Sequence, residues 1–202
     1  MKFANISNLE ESFLILKASE ADKEAFNHLV LKYQNMIFNQ AYYMLGDRHS
    51  AEDVTQECFI KAFIQIDRFR GGSFRSWLLK IVINTCYDEM RRSKRHPTKP
   101  LIPENGNSEE IESPAWVTDP NYSLQAIVEQ KELSRILCSM LNELPEIYRN
   151  PITLVDLHEL NYSEAAEVLG IPIGTLKSRL ARARFQMKSK LQTTLIFPDI
   201  SA

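Results

Sequence analysis

Residues 163–185 read SEAAEVLGIPIGTLKSRLARARF. Ser163 is placed to cap a short helix that Gly170 ends. Ile171-Pro172 then makes a tight turn, and a longer helix follows. Ala165, Ala166, Leu169, Ile171 and Leu176 fall where two helices must touch, and the small alanines allow close approach. This is the pattern of a helix-turn-helix. On its second helix, Leu176, Leu180, Ala183 and Met187 share one face. Lys177, Ser178, Ala181 and Arg182 form another stripe near the helix start, flanked by Arg179, Arg184, Lys188 and Lys190. Arg or Lys on such a stripe donates to guanine edges in the major groove while neighbours hold phosphates. A solvated basic face would explain a lone basic helix. The short helix and glycine turn in front of this one favour DNA binding.

The charge is local. No acidic side chain occurs between Glu167 and Asp199, yet the 202-residue chain has a formal net charge of −2. Attraction to a polyanion must come from clustering rather than bulk charge. Hydrophobic residues make up 44%, enough for packed cores. Cys58, Cys86 and Cys138 are odd in number and far apart, with no CxxC pair, which argues against a zinc site or a disulfide framework and fits a reducing cytosol. The polar N-terminus MKFANISNLEESF does not read as a signal peptide, and no apolar run approaches the roughly 20 residues of a membrane span, so a cytoplasmic protein without membrane insertion is expected.

Outward from the motif, the rest of the chain also reads as helix. Apolar residues in 9–92 recur at helical spacing. One long helix is expected from about Lys23 to Leu45, stopping at Gly46. Ser50-Ala-Glu-Asp53 reads as a capping box starting a second helix through about Ile66. FRGGS (69–73) breaks it, and Ser73 caps a third that runs to RRSKR (91–95). From His96-Pro97 to about Tyr122 the chain is rich in Pro, Asn, Ser and Glu, the composition of a flexible acidic linker. SLQAIVEQKELSRILCSML (123–141) is amphipathic and helical. Pro145 starts a new segment, whose helix carries Ile152, Leu154, Val155 and Leu157 and ends near Asn161. The fold class is all-α, two small helical domains joined by a tether.

Within SFRSWLLKIVINTCYDEMRRSKR (73–95), Trp77, Leu78, Ile81, Val82, Thr85, Cys86 and Met90 share a face expected to be buried. Lys80, Asn84, Asp88, Arg91 and Arg95 share another. One amide among cations suits a nucleic-acid backbone and a base edge. Phe69 and Phe74 are placed to stack or cradle an unpaired base, and packing explains either equally well. In DVTQECFIKAF (53–63), Asp53, Gln56 and Glu57 share an exposed face, a solvated patch or a dock for a basic partner.

Taken in order, DVTQECFIKAF (53–63), FRGGSFRSWLLKIVINTCYDEMRR (69–92) and LNELPEIYRNPITLVDLHELNYSEAAEVLGIPIGTLKSRLARAR (141–184) resemble the bacterial sigma-70 family, and more narrowly its extracytoplasmic-function group. The resemblance spans roughly residues 20–190. It implies an alternative sigma factor without cofactor or catalytic residues. Residues 1–95 would form a sigma2-like domain, 96–122 the linker, 123–192 a sigma4-like domain and 193–202 a tail. Asp53, Gln56 and Glu57 match positions that dock on core RNA polymerase. Asn84 matches the asparagine that reads a flipped −10 base, Phe69 and Phe74 its pocket wall, and Lys80, Arg91 and Arg92 the holders of non-template phosphates. Lys177, Ser178, Arg179, Ala181, Arg182 and Arg184 match the −35 reading helix of promoter DNA. An anti-sigma factor is a further partner of many relatives. Pro151, inside a segment the family keeps helical, and Val155, where Arg is common, depart from the pattern.

Two other readings compete. A stand-alone two-domain regulator would need a ligand or phosphoryl pocket, and no Gly-rich phosphate loop occurs. An enzyme would need a motif, but His28, His49, His96 and His158 are isolated, with no HExxH, GxSxG or Walker sequence.

Overall fold

The structure, a computed structural model, describes residues 8–95 and 136–196. The expected linker and part of the helix expected over 123–141 lie outside the described residues. Among the described residues, the regular elements are helices. The first unit comprises α1 (Asn8–Ser19), α2 (Lys23–Leu45), α3 (Arg48–Gln65) with a closing 3-10 turn (Ile66–Arg68), and α4 (Phe74–Arg95). The second comprises α5 (136–142), α6 (Glu146–Ile152) with a wider turn of helix over Thr153–Leu157, α7 (Tyr162–Leu169) and α8 (Ile173–Ile196).

Local chemistry sets most of the boundaries. Asp22 starts α2 by accepting from the Ala25 amide at 3.1 Å. Gly46 stops it in the left-handed conformation, φ 74°, with its amide on the Tyr42 carbonyl at 2.9 Å. The cap of α3 is Asp47, which accepts from the Ser50 amide at 2.7 Å, so the helix begins ahead of the expected box at Ser50–Asp53. Asp47 has the extended backbone an N-cap needs, whereas Ser50 already lies inside the first turn. Ser73 caps α4 as expected, its hydroxyl accepting from the Ser76 amide at 3.1 Å.

The first core packs α2, α3 and α4 around Leu29, Ile37, Val54, Cys58, Leu78, Val82 and Cys86. Ala41, Ala51 and Ala62, all fully buried, permit close helix approach. On α4, Leu78, Val82, Thr85 and Cys86 are buried as expected, while Trp77, Ile81 and Met90 are only partly so. Leu79 and Ile83 are also fully buried, on a side of the helix where no core face was expected. The second unit adds to the same core. Leu154, Leu160, Ala165, Ala166, Val168 and Leu176 belong to the same continuous core as α2 and α4, and α4 packs against α7. A smaller core of Leu141, Leu144, Leu180, Ala183 and Met187 holds the second unit together.

Polar contacts knit the two units along one seam. The Arg149 guanidinium donates to the carbonyls of Tyr43 and Met44 at the end of α2 (3.1 and 3.0 Å) and to those of Asn142 and Leu144 (2.6 and 2.9 Å). Asn150 Nδ2 donates to the Tyr87 hydroxyl at 2.8 Å. His158 Nε2–H donates to Gln40 Oε1 at 3.0 Å, with both side chains buried. The helix that begins at Glu146 ends sooner than expected, at Leu157 rather than near Asn161. Pro151 has no amide hydrogen for the ladder. The chain then closes with the His158 amide on the Thr153 carbonyl and reverses at Glu159, φ 54°. That reversal aims His158 at α2.

Burial, with a smaller contribution from Arg75, lowers the pKa of His158 from 6.5 to about 4. The unfolded chain therefore binds the extra proton between those two pH values. The stabilising effect of the neutral ring is complete above about pH 6.5 and is lost as pH falls toward 4, by about 3 kcal/mol at most. Denaturant midpoints measured from pH 7.5 to 4.5 are expected to fall, and His158→Gln should flatten that fall. An unchanged slope in the variant would show that His158 titrates normally.

Candidate nucleic-acid interface

Two outward cationic faces lie on the chain, one on α4 and one on α8. On α4, Lys80 and Asn84 are exposed one helical turn apart, and the stripe continues through Arg91 and Arg92. Arg91 pairs with Asp88 at 2.9 Å, and Arg92 pairs with Glu89. Such exposed pairs within one helix are weak and exchange readily for a phosphate. The loop before α4 carries an aromatic cluster. Phe69 packs edge-on against Phe74, with ring centres 5.4 Å apart, and against Trp77 at 5.6 Å. Phe74 is only 2% exposed and also meets Tyr33 at 5.8 Å. Its ring is a buried support, so of the two phenylalanines Phe69 is the one that presents surface at this loop. Gly71 and Gly72, at φ 91° and 87°, make the reversal that sets Phe69 beside the start of α4.

The second face depends on the α7–turn–α8 geometry. The cap of α7 is Asn161, with Ser163 inside the helix. Asn161 Oδ1 accepts from the Glu164 amide at 3.0 Å, and Glu164 returns the bond to the Asn161 amide at 3.1 Å. This reciprocal box outcompetes Ser163 because Glu164 stands three residues after Asn161. Gly170 ends α7 at φ 63°, and the Leu176 amide on the Pro172 carbonyl starts α8. Leu176, Leu180, Ala183 and Met187 are buried, as their spacing predicts.

The polar stripe of α8 points outward. Lys177, Ser178, Ala181 and Arg182 are exposed, and Arg179 is half-buried. Lys177 Nζ lies 5.9 Å from the centre of the Tyr162 ring, and Ser178 Oγ donates to the Thr175 carbonyl at 2.9 Å. Arg182 reaches the Tyr148 hydroxyl at 3.5 Å. Arg184 differs from these. It grips Asp156 through two bonds of 2.9 and 2.5 Å, which push its pKa up. Asp156 therefore partly neutralises a cation that the sequence placed among the DNA contacts.

On α3, Asp53 and Gln56 are exposed, and Glu57 pairs with Lys61 at 2.8 Å. Gln56 also lines a groove of about 560 Å³ between α2 and α3, with Val30, Gln34, Phe38, Phe59 and Ile60. Sequence reading missed the groove and the seam residues Gln40, Tyr87, Arg149 and Asn150. One signal for the seam was present: Gln40 interrupts the apolar face of α2 between Ile37 and Met44. Among the described residues, no three metal-ligating side chains gather and no helix is long and apolar enough to cross a membrane.

Known proteins share this arrangement. Residues 29–96 match the family Sigma-70 region 2, and residues 134–187 match Sigma-70, region 4. The chain is 33% identical to the ECF RNA polymerase sigma-E factor of Haemophilus influenzae, over 91% of this chain and 96% of that one. It is also 33% identical to the ECF RNA polymerase sigma factor SigW of Bacillus subtilis, over 88% and 95% respectively. Among solved structures, it is similar to the sigma factor RpoE of Bartonella quintana, crystallised with the anti-sigma factor NepR. That match has 27% identity and a TM-score of 0.61, covering 83% of this chain and 96% of that one. CnrH in complex with the cytosolic domain of CnrY shares the fold, with 23% identity and a TM-score of 0.63, over 91% and 97%.

The short α7 has only eight residues, so its cap carries much of its stability. Asn161→Ala should destabilise the second unit by about 1 kcal/mol. Thermal unfolding is the readout, and Ser163→Ala should cost far less; the opposite order would return the cap to Ser163.

Proposed function

The chain belongs to the sigma-70 family, in its extracytoplasmic-function group, and from that premise we propose how its residues start transcription. It is an alternative sigma factor that directs transcription initiation, with core RNA polymerase and promoter DNA as partners. The stand-alone regulator is not favoured, since both family regions occur in order on one chain. The residue roles, the domain limits, the absence of catalysis and the cytoplasmic location are our reading.

One observation carries the assignment of roles. Two outward cationic faces sit on separate units, Asn84 with Lys80 on α4, and Lys177, Ser178 and Arg182 on α8. In our assignment residues 1–95 bind polymerase and the −10 element, and residues 123–192 bind the −35 element. Residues 96–122 link them, and 193–202 form the tail. Asp53, Gln56 and Glu57 dock on polymerase. Asn84 offers a donor and an acceptor to a flipped −10 base, Phe69 walls it with Phe74 in support, and Lys80, Arg91 and Arg92 take phosphates. Lys177, Ser178, Arg179, Ala181 and Arg182 meet the −35 groove, and Arg184 joins them once it leaves Asp156. An anti-sigma factor is a further partner in this reading, since the Bartonella relative was crystallised in complex with the anti-sigma factor NepR. The polymerase performs the chemistry, and no residue of this chain is assigned a catalytic role.

The net charge supports a division of labour. Phosphate neutralisation dominates DNA affinity, and a chain of net charge −2 supplies little of it unaided. Weak promoter binding by the isolated chain is therefore expected at physiological salt. Tight, specific binding without polymerase would count against this reading.

Reconstituted transcription with core polymerase and a promoter library tests the roles. Asn84→Ala should impair initiation and blur the −10 preference. Arg182→Ala should relax discrimination at −35, losing about 1–3 kcal/mol for one bidentate base contact. Unchanged transcript profiles in both variants would refute the residue assignments.

A further inference from the structure

The polar stripe of α8 does not end at Arg182, and the next residue on it is apolar. Phe185 is 75% exposed and belongs to neither hydrophobic core. It follows Ser178 by seven residues, Ala181 by four and Arg182 by three, so the helical repeat sets it on the same outward face. We propose that Phe185 is a specificity-determining residue, which together with Ala181 forms an apolar slot for the C5-methyl group of a thymine in the −35 element. The proposal rests on the sigma factor reading and adds a base contact to it.

Helix geometry carries the ring toward the bases. A helical side chain leans toward the N-terminus and covers the turn before its own Cα. Phe185 therefore covers the turn of Ala181 and Arg182, and Cβ atoms four residues apart lie about 5–6 Å from each other. Ala181 is itself exposed and carries only a methyl group, so a ring beside it borders a shallow apolar recess. Arg182 lines the polar side of that recess. Phe185 follows Arg182 by about 4.5 Å along the helix axis, close to the roughly 3.4 Å between stacked base pairs. When Arg182 reads one pair, the ring meets its neighbour.

The charges around Phe185 select the surface that covers it. No acidic residue occurs between Glu167 and Asp199, and Lys177, Arg182 and Lys188 are exposed on the same side of the helix. An apolar protein surface laid over the ring would strip these cations of water without pairing them, which is costly. In the major groove the same cations meet phosphates and base acceptors. The apolar group that a base pair presents there is the thymine methyl, and phenylalanine is a side chain suited to it. A ring that stands in water in the free chain leaves it only in the bound state, so its burial discriminates between DNA sequences at no cost to the fold.

Deoxyuridine tests the slot, because it pairs as thymidine does and lacks only the methyl group. With the full chain and core polymerase, the promoter library defines the preferred −35 element, and its response to Arg182→Ala marks the pair that Arg182 reads. Replacing the thymine beside that pair by deoxyuridine should lower initiation about fourfold, the worth of one buried methyl group. Phe185→Ala should abolish both this sensitivity and the preference for thymine at that pair, and leave the −10 preference intact. Phe185→Leu, which keeps apolar surface, should retain part of both. A −35 element without thymine beside that pair, or deoxyuridine sensitivity equal in the wild type and Phe185→Ala, would overturn the slot. So would a Phe185→Ala variant that loses initiation from every promoter alike. If chain and core polymerase gave no promoter-specific transcripts, the sigma factor reading would fall instead. Duplex selection by the full chain alone at low salt, where phosphate contacts are strongest, still judges Phe185: enrichment of thymine over deoxyuridine that Phe185→Ala abolishes supports the slot, and equal enrichment overturns it.

Discussion

The last turn of α2 ends in two carbonyls, those of Tyr43 and Met44, that an arginine of the other unit takes up. An α-helix leaves its final carbonyls without intrahelical partners and carries partial negative charge there. The last turn of α2 contains no basic residue. Gly46 turns the chain away and answers Tyr42 with its own amide. The carbonyls of Tyr43 and Met44 then receive the guanidinium of Arg149, from more than a hundred residues further on. The same guanidinium holds Asn142 and Leu144, so one cation joins the end of α2 to the α5–α6 corner. The register of the second unit on the first follows from that point: Asn150 meets Tyr87, His158 meets Gln40, and α7 settles against α4.

That placement also sorts the cations. Arg149 is spent on backbone carbonyls and Arg184 on Asp156. Lys80, Lys177 and Arg182 remain on exposed faces. A chain with a net charge of −2 thus divides its basic residues between holding its own parts together and meeting a polyanion. Because phosphate contacts dominate nucleic-acid affinity, few free cations suffice only when a larger partner contributes the rest. On α3, Asp53 and Gln56 keep an acidic and amide face exposed.

Features written in adjacent residues were legible in the sequence. Gly46, Gly170, Ser73 and the turn at Pro172 punctuate the chain locally, and the helices between them follow. The caps of α3 and α7 were misplaced by a few residues. Two capping candidates stand close together in each case; backbone geometry chooses Asp47, and the bond returned by Glu164 chooses Asn161. The stripe Leu176, Leu180, Ala183 and Met187 was plain because a single helix periodicity defines it. Leu79 and Ile83 were not, since they are buried on α4 outside the one face that its spacing marks. Phe74 shows the same limit: its place beside a loop suggested a surface role, while Tyr33 on another helix holds it inside. The tethering segment lies outside the described residues.

The balance of terms at the seam explains how the contact is specific although its polar groups add little net stability. Each hydrogen bond across it contributes about 1 kcal/mol net, and each buried polar atom left unpaired costs about 1–3 kcal/mol. Four bonds across the seam set against four unpaired atoms leave the polar part near zero or unfavourable. The favourable remainder is apolar, from Leu154, Leu160, Val168 and Leu176 of the second unit joining the core of the first. Apolar burial is non-directional and would tolerate several sliding arrangements. The polar pairs add little energy but admit one register only. Such a joint fixes one arrangement of the two units while its polar groups contribute little net stability.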